Sequence, residues 1–362
     1  MEKLSLASLF SYLIQPGPAA AWIDVRSELE FEKAALPGTI NIPLLLQAER
    51  HEIGIAYKNE GQEAAIALGE KLVGPHQAAR IEAWSRAISQ SPARRGIIMC
   101  WRGGLRSQIV TEWLRDAGLD VQQLEGGYKA VRNGLRTYVE QAPELIVLQG
   151  LTGSGKTELL RSLSLPQIDL EAAAHHRGSA FGSWLDQPQP AQTTFENDIA
   201  MQILLKSHQP APRLIEDESR LLGVRCVPEA LLAKMRLAPV IRVEDSMEAR
   251  TRRIYREYIG DSLSQGPERA RLRQHALASF ACIERRLDIH AGRIREKMIA
   301  AFRSDGDEDL HRDWIGDLLE NYYDKRYHHA AARHQRRVLF TGDSEACRAW
   351  LLEKGDALRC DA

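Results

Sequence analysis

The amino-acid sequence predicts a chain of two α/β domains, each built around a parallel β-sheet. Short apolar stretches alternate with helical patterns along most of the 362 residues, and such alternation is typical of parallel sheets covered by helices. The length is sufficient for about two domains. A phosphate-binding motif follows one apolar stretch near the middle of the chain. We therefore predict a first domain over residues 1–138 and a second over residues 142–362.

In the first domain, strands are expected at Ala21–Val25 and Gly96–Met99, and the second of these leads directly into Cys100. A helix is expected from Ser107 to about Gly118, because four apolar side chains recur there on one helical face: Ile109, Val110, Trp113 and Leu114. The thiol thus lies between a predicted strand and a predicted helix.

The second domain is expected to begin after residues 141–143, since the residue before Pro143 resists helical geometry. Four apolar stretches in this half predict strands at residues 145–148, 213–215, 240–243 and 337–340. Between about 247 and 335 the pattern is helical and charged. We interpret this part as a helical insertion into the second domain.

The composition is that of a soluble globular protein, with 44% hydrophobic and 27% charged residues. The net charge is −1, so no overall basic field indicates nucleic-acid binding. The N-terminus lacks the apolar core of a signal peptide, and no apolar run is long enough for a membrane span. Widely spaced cysteines argue against disulfides and predict a cytoplasmic protein; they are Cys100, Cys226, Cys282, Cys347 and Cys360.

Residues 150–157 form a complete G-x-x-x-x-G-K-[ST] phosphate loop between a predicted strand and helix. Converging backbone N–H groups at a helix N-terminus bind phosphate, and glycines permit the backbone angles that this requires. Lys156 is expected to reach the terminal phosphate, and the Thr157 hydroxyl to bind Mg²⁺. The predicted phosphate-binding residues are Gly150, Gly153, Ser154, Gly155, Lys156 and Thr157.

An acidic partner for this metal is expected at the end of a neighbouring strand. Asp217 or Glu216, which follow the predicted strand at 213–215, is the expected ligand, and of the two we assign Asp217, together with Thr157. Without the phosphate loop, such an acidic run would most often be a solvated loop.

Cys100-Trp-Arg-Gly-Gly-Leu-Arg106-Ser is predicted to activate a thiol. Loop N–H groups at a helix N-terminus stabilise a thiolate, and Arg102 and Arg106 add positive charge. Gly103 and Gly104 let the backbone curl around an anion. We predict Cys100, Arg102 and Arg106 as catalytic residues. The alternative is a buried structural cysteine.

Together with residues 23–31 and 36–44, this loop resembles rhodanese-type sulfurtransferase domains, in which the cysteine carries transferable sulfur or selenium. The spacing from Cys100 to Arg106 also matches the C-x5-R loop of cysteine phosphatases. The histidine that usually precedes the phosphatase cysteine is replaced here by Met99.

Further segments make the chain similar to the tRNA 2-selenouridine synthase family, which joins a rhodanese-like parallel-sheet domain to a P-loop NTPase-like α/β domain. The similar segments cover residues 100–107, 125–129, 169–182, 195–197, 216–223 and 322–324. The resemblance implies that 2-thiouridine at the tRNA wobble position is S-geranylated by geranyl diphosphate and then converted to 2-selenouridine with selenophosphate. It also implies tRNA and a selenophosphate supplier as partners, and possible use of Mg²⁺.

The resemblance implies substrate-binding roles for six residues, namely His176, Arg177, Ser179, Glu216, Asp217 and Arg220. Lysine and arginine outnumber the acidic residues between 242 and 303, and tyrosines are interleaved, which favours contact with an anticodon arm. The predicted RNA-binding residues are Arg250, Arg252, Arg253, Arg256, Lys325 and Arg326. A charged run is more often a solvated helix face.

Two other hypotheses stay open at this point. One is a nucleotide-dependent kinase or ATPase with an accessory rhodanese domain, and the other is a non-catalytic RNA-binding or thiol-sensing module. ATP turnover that depends on Lys156 would favour the first of these.

Overall fold

The computed structural model describes residues 3–209, 211–260, 266–304, 307–331 and 336–354. They form two compact units, one of residues 1–141 with 190–208 and the other of residues 142–189 with 209–362. Residues 190–208 thus belong to the first unit, although they follow the phosphate loop in the chain. Cys360 and part of the predicted insertion lie outside the described residues.

The first unit has a parallel four-stranded sheet in the order β2-β1-β3-β4. Its strands are β1 (Ala21–Asp24), β2 (Thr39–Asn41), β3 (Gly96–Met99) and β4 (Val121–Gln123). Every residue of β1 and β3 is buried, as expected for central strands of a parallel sheet. The strands predicted at 21–25 and 96–99 are therefore confirmed to within one residue.

Helices surround this sheet, and the one that follows Cys100 begins two residues before the predicted start. The helices of the unit are α1 (Leu6–Ile14), α2 (Glu28–Lys33), α3 (Gln47–Glu60), α4 (Gln62–Val73), α5 (Gln77–Gln90), α6 (Leu105–Asp116) and α7 (Gly127–Glu140), with a 3₁₀ turn at Gly74–His76. The core includes Trp84 and Ile98, both fully buried.

The second unit has a parallel five-stranded sheet in the order β11-β10-β5-β7-β6. Its strands are β5 (Leu145–Gln149), β6 (Gln167–Ile168), β7 (Arg213–Glu216), β10 (Val240–Val243) and β11 (Val338–Gly342), beside a hairpin of β8 (Leu221–Leu222) and β9 (Arg225–Cys226). Strand β5 leads into the phosphate loop from the middle of the sheet. The predicted α/β fold class is confirmed in both units.

The helices near this sheet are α8 (Lys156–Ser162), α9 (Leu170–Ala174), α11 (Glu229–Leu237) and α17 (Ser344–Lys354), while α10 (Gln192–Leu205) lies in the first unit. The predicted helical insertion consists of α12 (Met247–Tyr255), α13 (Gly266–Ile283), α14 (Ala291–Arg303), α15 (Glu308–Leu318) and α16 (Asp324–Ala331). Short turns complete it, of π type at Arg256–Gly260 and Leu319–Tyr323 and of 3₁₀ type at Glu284–Arg286 and Asp288–His290. The insertion has its own apolar core, with Phe280, Met298 and Trp314 among the buried side chains.

Among the described residues, we find no helix whose length and hydropathy would let it cross a membrane.

Candidate functional site

Cys100 lies at the end of β3, directly before the loop that leads into α6, and it is buried. Its Sγ lies 3.2 Å from Oγ of Ser107 in the first turn of that helix. Ser107 also receives a hydrogen bond from Nε2 of Gln123, at 2.9 Å. The thiol thus lies at the start of the loop that leads directly into the N-terminus of α6.

The two arginines predicted beside the thiol have different surroundings. Arg106 forms an ion pair with Glu30 at 2.7 Å, whereas Arg102 is exposed. Burial disfavours the charged form of both side chains, but the attraction between the two charges is stronger. This attraction lowers the pKa of Glu30 to about 2 and raises the pKa of Arg106. Arg106 therefore keeps its positive charge near Cys100, and Glu30 holds the guanidinium in place.

A second backbone segment packs directly against the thiol loop. The N–H of Tyr128 donates to the carbonyl of Cys100 at 2.8 Å, and that of Lys129 donates to Trp101 at 3.0 Å. Gly127 has φ of +55°, and a Cβ there would lie 2.3 Å from the Cys100 carbonyl oxygen. The Gly-Gly-Tyr-Lys motif thus fixes the backbone of the thiol loop, and we call it the glycine clamp. Only glycine fits at position 127, because any Cβ there would overlap the Cys100 carbonyl.

The Tyr128 ring of this clamp is packed against an arginine and a tryptophan. Arg26 and Asp24 form a fully buried ion pair at 2.6 Å. The Arg26 guanidinium lies 4.1 Å from the centroid of the Tyr128 ring, and Trp101 stacks on the same ring at 5.2 Å. The exposed Trp101 side chain is therefore held in a defined position beside Cys100.

Helix α10 contributes a contact that sequence reasoning did not assign. Nδ2 of Asn197 donates to the Tyr128 hydroxyl at 3.2 Å and to the carbonyl of Ala35 at 2.7 Å. Arg132 donates to Oδ1 of Asn197 at 2.9 Å. The Phe-Glu-Asn segment was recognised only by resemblance, and its pattern alone carries no signal for this role.

In the second unit, the phosphate loop has the geometry that its sequence predicts. Gly153 and Gly155 have φ of +78° and +87°, in the region that favours glycine. A Cβ at Gly153 would lie 2.7 Å from Cδ1 of Ile254, so α12 packs closely on the loop. Ser154 is fully buried at the turn.

Lys156 and Thr157 begin the helix that follows. Nζ of Lys156 donates to the carbonyls of Gly150 and Leu151, at 2.8 and 3.1 Å. The Thr157 hydroxyl donates to Oε1 of Glu216 and lies 3.3 Å from Oε2 of Glu171. The lysine therefore folds over the loop, and the threonine faces buried carboxylates.

Three carboxylates converge on this threonine, from Glu171, Glu216 and Glu218, with ligand oxygens within 4.8 Å of one another. Burial is the main cause that raises the pKa of each group. Repulsion between carboxylates adds to it for Glu171 and Glu218, and the pKa of Glu218 rises to about 8. Such a cluster requires protons or a cation for stability.

Asp217, predicted as the metal ligand, has other partners. Its Oδ2 accepts from Arg336 at 2.6 Å and from Gln149 at 3.1 Å. Glu216, the last residue of β7, contacts Thr157, whereas Asp217, the next residue along the chain, is engaged by Arg336 and Gln149. Arg220, also predicted to bind substrate, is exposed and lines a cavity of about 280 Å³, together with Asp217 and Glu218.

An apolar cavity of about 280 Å³ lies beside the phosphate loop. Thr152 of the loop is part of its wall, as are two of the predicted substrate-binding residues, Arg177 and Ser179. His176, another residue predicted to bind substrate, is buried, and burial, His275 and Arg177 together lower its pKa. The remaining wall is mostly apolar and comes from the insertion and from residues 181–187.

The arginines predicted to bind RNA fall into two groups. Arg250 is 2% exposed and pairs with Asp324, and Arg253 donates to the carbonyl of Gly153 and pairs with Asp245. A buried arginine paired with a carboxylate cannot reach RNA, so the prediction for Arg250 is corrected to a structural role. The exposed members of the set are Arg252, Arg256, Lys325 and Arg326.

Comparisons with known proteins give matches to both halves of the chain. The family profile described as "tRNA 2-selenouridine synthase AAA domain" matches residues 143–357, and that of the "Rhodanese-like domain" matches residues 10–133. The chain is 40% identical over 352 residues to a tRNA 2-selenouridine synthase of Shewanella denitrificans, covering 91% of this chain and 94% of that one. It is 41% identical over 360 residues to one of Bordetella bronchiseptica, covering 94% and 96%.

Proposed function

The chain belongs to the tRNA 2-selenouridine synthase family and is a tRNA-modifying transferase, and we propose that it acts through an S-geranylated intermediate. In the first reaction, the sulfur of 2-thiouridine attacks C1 of geranyl diphosphate, the carbon–oxygen bond to diphosphate breaks, and the N3 proton of the uracil is lost to solvent. In the second, the selenium of selenophosphate attacks C2 of the uracil, the C2–S bond breaks, and geranylthiolate leaves with its electron pair. Water then cleaves the selenium–phosphorus bond, which releases phosphate and leaves 2-selenouridine.

The observation that carries this proposal is that one chain builds two distinct reactive loops. The first is Cys100 at the start of α6, with Arg106 held nearby by Glu30. The second is the phosphate loop with Lys156 beside it. A diphosphate leaving group needs donors that stabilise its developing negative charge, and a soft sulfur atom beside a fixed positive charge suits an anionic selenium donor.

The phosphate loop is assigned to the first reaction. Backbone N–H groups of residues 153–157 and the ammonium of Lys156 would bind the diphosphate and stabilise it as it leaves. Cys100 is assigned to the second reaction, together with Arg106, whose positive charge favours an anionic donor such as selenophosphate. A protein that supplies selenophosphate is the partner that this assignment requires, and a cytoplasmic location stays a prediction.

The carboxylate cluster fits a hard divalent cation such as Mg²⁺. Oε2 of Glu216 is buried, and within the described part of the chain no donor contacts it. Thr157 with Glu171, Glu216 and Glu218 offers the oxygen ligands that such a cation prefers. A cation there would add positive charge next to the departing diphosphate. Thr157 stays in the predicted set, and Glu216, the alternative to Asp217, takes the place of Asp217 together with Glu171 and Glu218.

For tRNA, we propose the exposed cations of the insertion as the contact surface, namely Arg252, Arg256, Lys325 and Arg326. Tyr322 lies 5.3 Å from the Arg326 guanidinium, measured to its ring centroid. Contacts of this kind bind the phosphate backbone without reading sequence.

Nucleoside mass spectrometry of 2-thiouridine tRNA tests the proposal. With geranyl diphosphate alone, a geranylated nucleoside should form, and with selenophosphate added, a selenonucleoside should follow. Cys100→Ala should stop only the second product, and Lys156→Ala should stop the first. The controls are Cys282→Ala, an exposed cysteine, and Lys297→Ala, a surface lysine paired with Asp313.

The competing function is a kinase or ATPase. If the folded, tRNA-bound protein forms neither nucleoside but hydrolyses ATP in a reaction that depends on Lys156, the transferase mechanism is wrong. Loss of both products in Cys100→Ala would instead refute the division of labour between the two loops.

A further inference from the structure

We propose that the apolar cavity beside the phosphate loop holds the hydrocarbon chain of a prenyl diphosphate and that its walls select the chain length. This inference rests on the proposed function, which places the diphosphate of the same molecule in the phosphate loop. It adds the location of the chain and names residues that determine specificity.

The position of the cavity is the first argument. Thr152 belongs both to the phosphate loop and to the cavity wall. Ile254, another wall residue, approaches Gly153 so closely that a Cβ there would lie 2.7 Å from its Cδ1. Arg250 ties the same segment together, since its Nε donates to the carbonyl of Thr152 at 2.9 Å. A ligand whose diphosphate occupies the loop can therefore extend its other end into the cavity.

The chemistry of the walls is the second argument. The wall includes buried apolar and aromatic side chains of the insertion, namely Ile259, Leu272, Ala276, Phe302, Trp314, Ile315, Leu318 and Leu319. A nucleoside would bring several polar groups into such surroundings, and buried polar groups without partners are costly. A prenyl chain has none, and its burial is favourable in proportion to the apolar area removed from water.

Polar side chains at the cavity largely contact one another. The Ser179 hydroxyl lies 3.3 Å from that of Tyr258, and the Arg177 guanidinium lies 4.9 Å from the Tyr258 ring centroid. A ring nitrogen of His275 lies 3.3 Å from the carbonyl oxygen of Phe181. These groups are therefore engaged within the wall, whereas the buried Nε1 of Trp184 and the hydroxyl of Tyr323 have no hydrogen-bond partner among the described residues. Most of the surface that a ligand meets is apolar.

The third argument is the backbone geometry of the wall. The insertion contains two π-helical turns among its described residues, Arg256–Gly260 and Leu319–Tyr323, and both contribute side chains to the cavity. Single π turns inside helices are rare and occur frequently at functional sites. Although Tyr258 and Tyr323 are far apart in sequence, these two turns bring both side chains to the cavity wall.

Ala276 is the position best suited to a test of chain length. It is buried in the wall on α13, and its small side chain leaves open space beside it. Ala276→Leu fills this space, and extra volume is better tolerated in a cavity than in a packed core. We expect the variant to fold and to accept only a shorter chain.

Binding measured by calorimetry separates the chain from the diphosphate. Each protein is titrated with inorganic diphosphate, dimethylallyl diphosphate and geranyl diphosphate. For Ala276→Leu we expect the affinity for geranyl diphosphate to fall about tenfold or more, while that for inorganic diphosphate and dimethylallyl diphosphate is unchanged. Lys156→Ala should weaken binding of all three.

A matched pair of variants tests the opposite change. Phe302 lines the cavity, whereas Phe280 is buried in the same apolar core without lining it. Phe302→Leu should shift preference towards farnesyl diphosphate, and Phe280→Leu should lower stability to a similar extent without changing preference.

Unchanged geranyl affinity in Ala276→Leu, or equal preference shifts in both phenylalanine variants, would overturn the cavity assignment even where the wild-type protein geranylates tRNA. If the wild-type protein binds prenyl diphosphates no more tightly than inorganic diphosphate and forms no geranylated nucleoside, the proposed function itself fails. The two failures are thus distinguishable.

Discussion

Arg250 donates two hydrogen bonds to the carboxylate of Asp324, at 2.5 and 3.0 Å, and a third from Nε to the carbonyl of Thr152 at 2.9 Å. One buried guanidinium thereby joins the start of the helical insertion, its last helix and the phosphate loop. The Tyr-Tyr-Asp segment, recognised from sequence only by resemblance, thus has a physical role: its aspartate neutralises a buried charge.

Removing this carboxylate should be costly. Asp324→Ala leaves the Arg250 guanidinium buried without its partner, and we expect a loss of about 3–5 kcal/mol in unfolding free energy. Denaturant titration measures this, and affinity for inorganic diphosphate should fall in parallel, since Arg250 also holds Thr152. Glu248→Ala is the control, because it breaks only surface ion pairs, with Arg252 and with Arg312, which together are worth about 1 kcal/mol or less. Equal losses in the two variants would contradict the buried role of Arg250.

The glycine clamp on the thiol loop gives a second prediction. Gly127→Ala places a Cβ against the Cys100 carbonyl at positive φ, and we expect a destabilisation of roughly 1–3 kcal/mol. The rate of Cys100 alkylation by a small thiol reagent should also change, because the loop must move. A Cβ at Gly104 would meet open space, and φ there is negative, so Gly104→Ala is the matched control. If Gly127→Ala changed neither the stability nor the rate of Cys100 alkylation, the clamp would be refuted.

The carboxylate cluster predicts how stability depends on pH. Burial and the carboxylate of Glu216 raise the pKa of Glu218 from 4.5 to about 8. Between these values the folded state holds a proton that the unfolded state has lost, so stability falls as pH rises through this window. In the absence of divalent cations, the midpoint of thermal unfolding should therefore decrease from pH 5 towards pH 8.

Glu218→Gln should reduce the change of the unfolding midpoint with pH, because the glutamine amide stays neutral at every pH. Glu229→Gln, at a largely exposed glutamate of the same unit, should leave the slope as in the wild-type protein. Mg²⁺ added at pH 8 should raise the midpoint, since a cation that binds only the folded state stabilises it. A midpoint that rises with pH in the metal-free protein would contradict the predicted direction.

The exposed cations of the insertion predict the salt dependence of tRNA binding. Replacing Lys325 and Arg326 by alanine removes two exposed charges. We expect weaker binding at low salt and a decrease of about 1 per removed phosphate contact in the slope of log K against log salt concentration. Arg136→Ala, on an exposed arginine of the first unit, is the control. An unchanged slope would exclude this surface as a phosphate contact.

Local features of the sequence predicted much of the fold and both loops. The strands at 96–99 and 240–243 were predicted to the residue, because each is a short apolar run that ends at a turn signal. The phosphate loop is continuous in sequence, and its conformation depends on its own glycines. The thiol loop is local for the same reason, since β3, Cys100 and α6 follow one another without interruption.

Only the tertiary structure decided which distant residues meet. Folding brings Glu216 against Thr157 and places Glu171 and Glu218 beside Glu216, whereas Asp217 pairs with Arg336. The burial of Arg250 depends on Asp324, which lies 74 residues away in sequence. The apolar cavity is built from separate helices and two π turns, and no local sequence pattern predicts it. Sequence alone determined the conformations that depend on neighbouring residues, whereas burial, pairing and cavity shape depend on packing between segments and emerge only when the chain is folded.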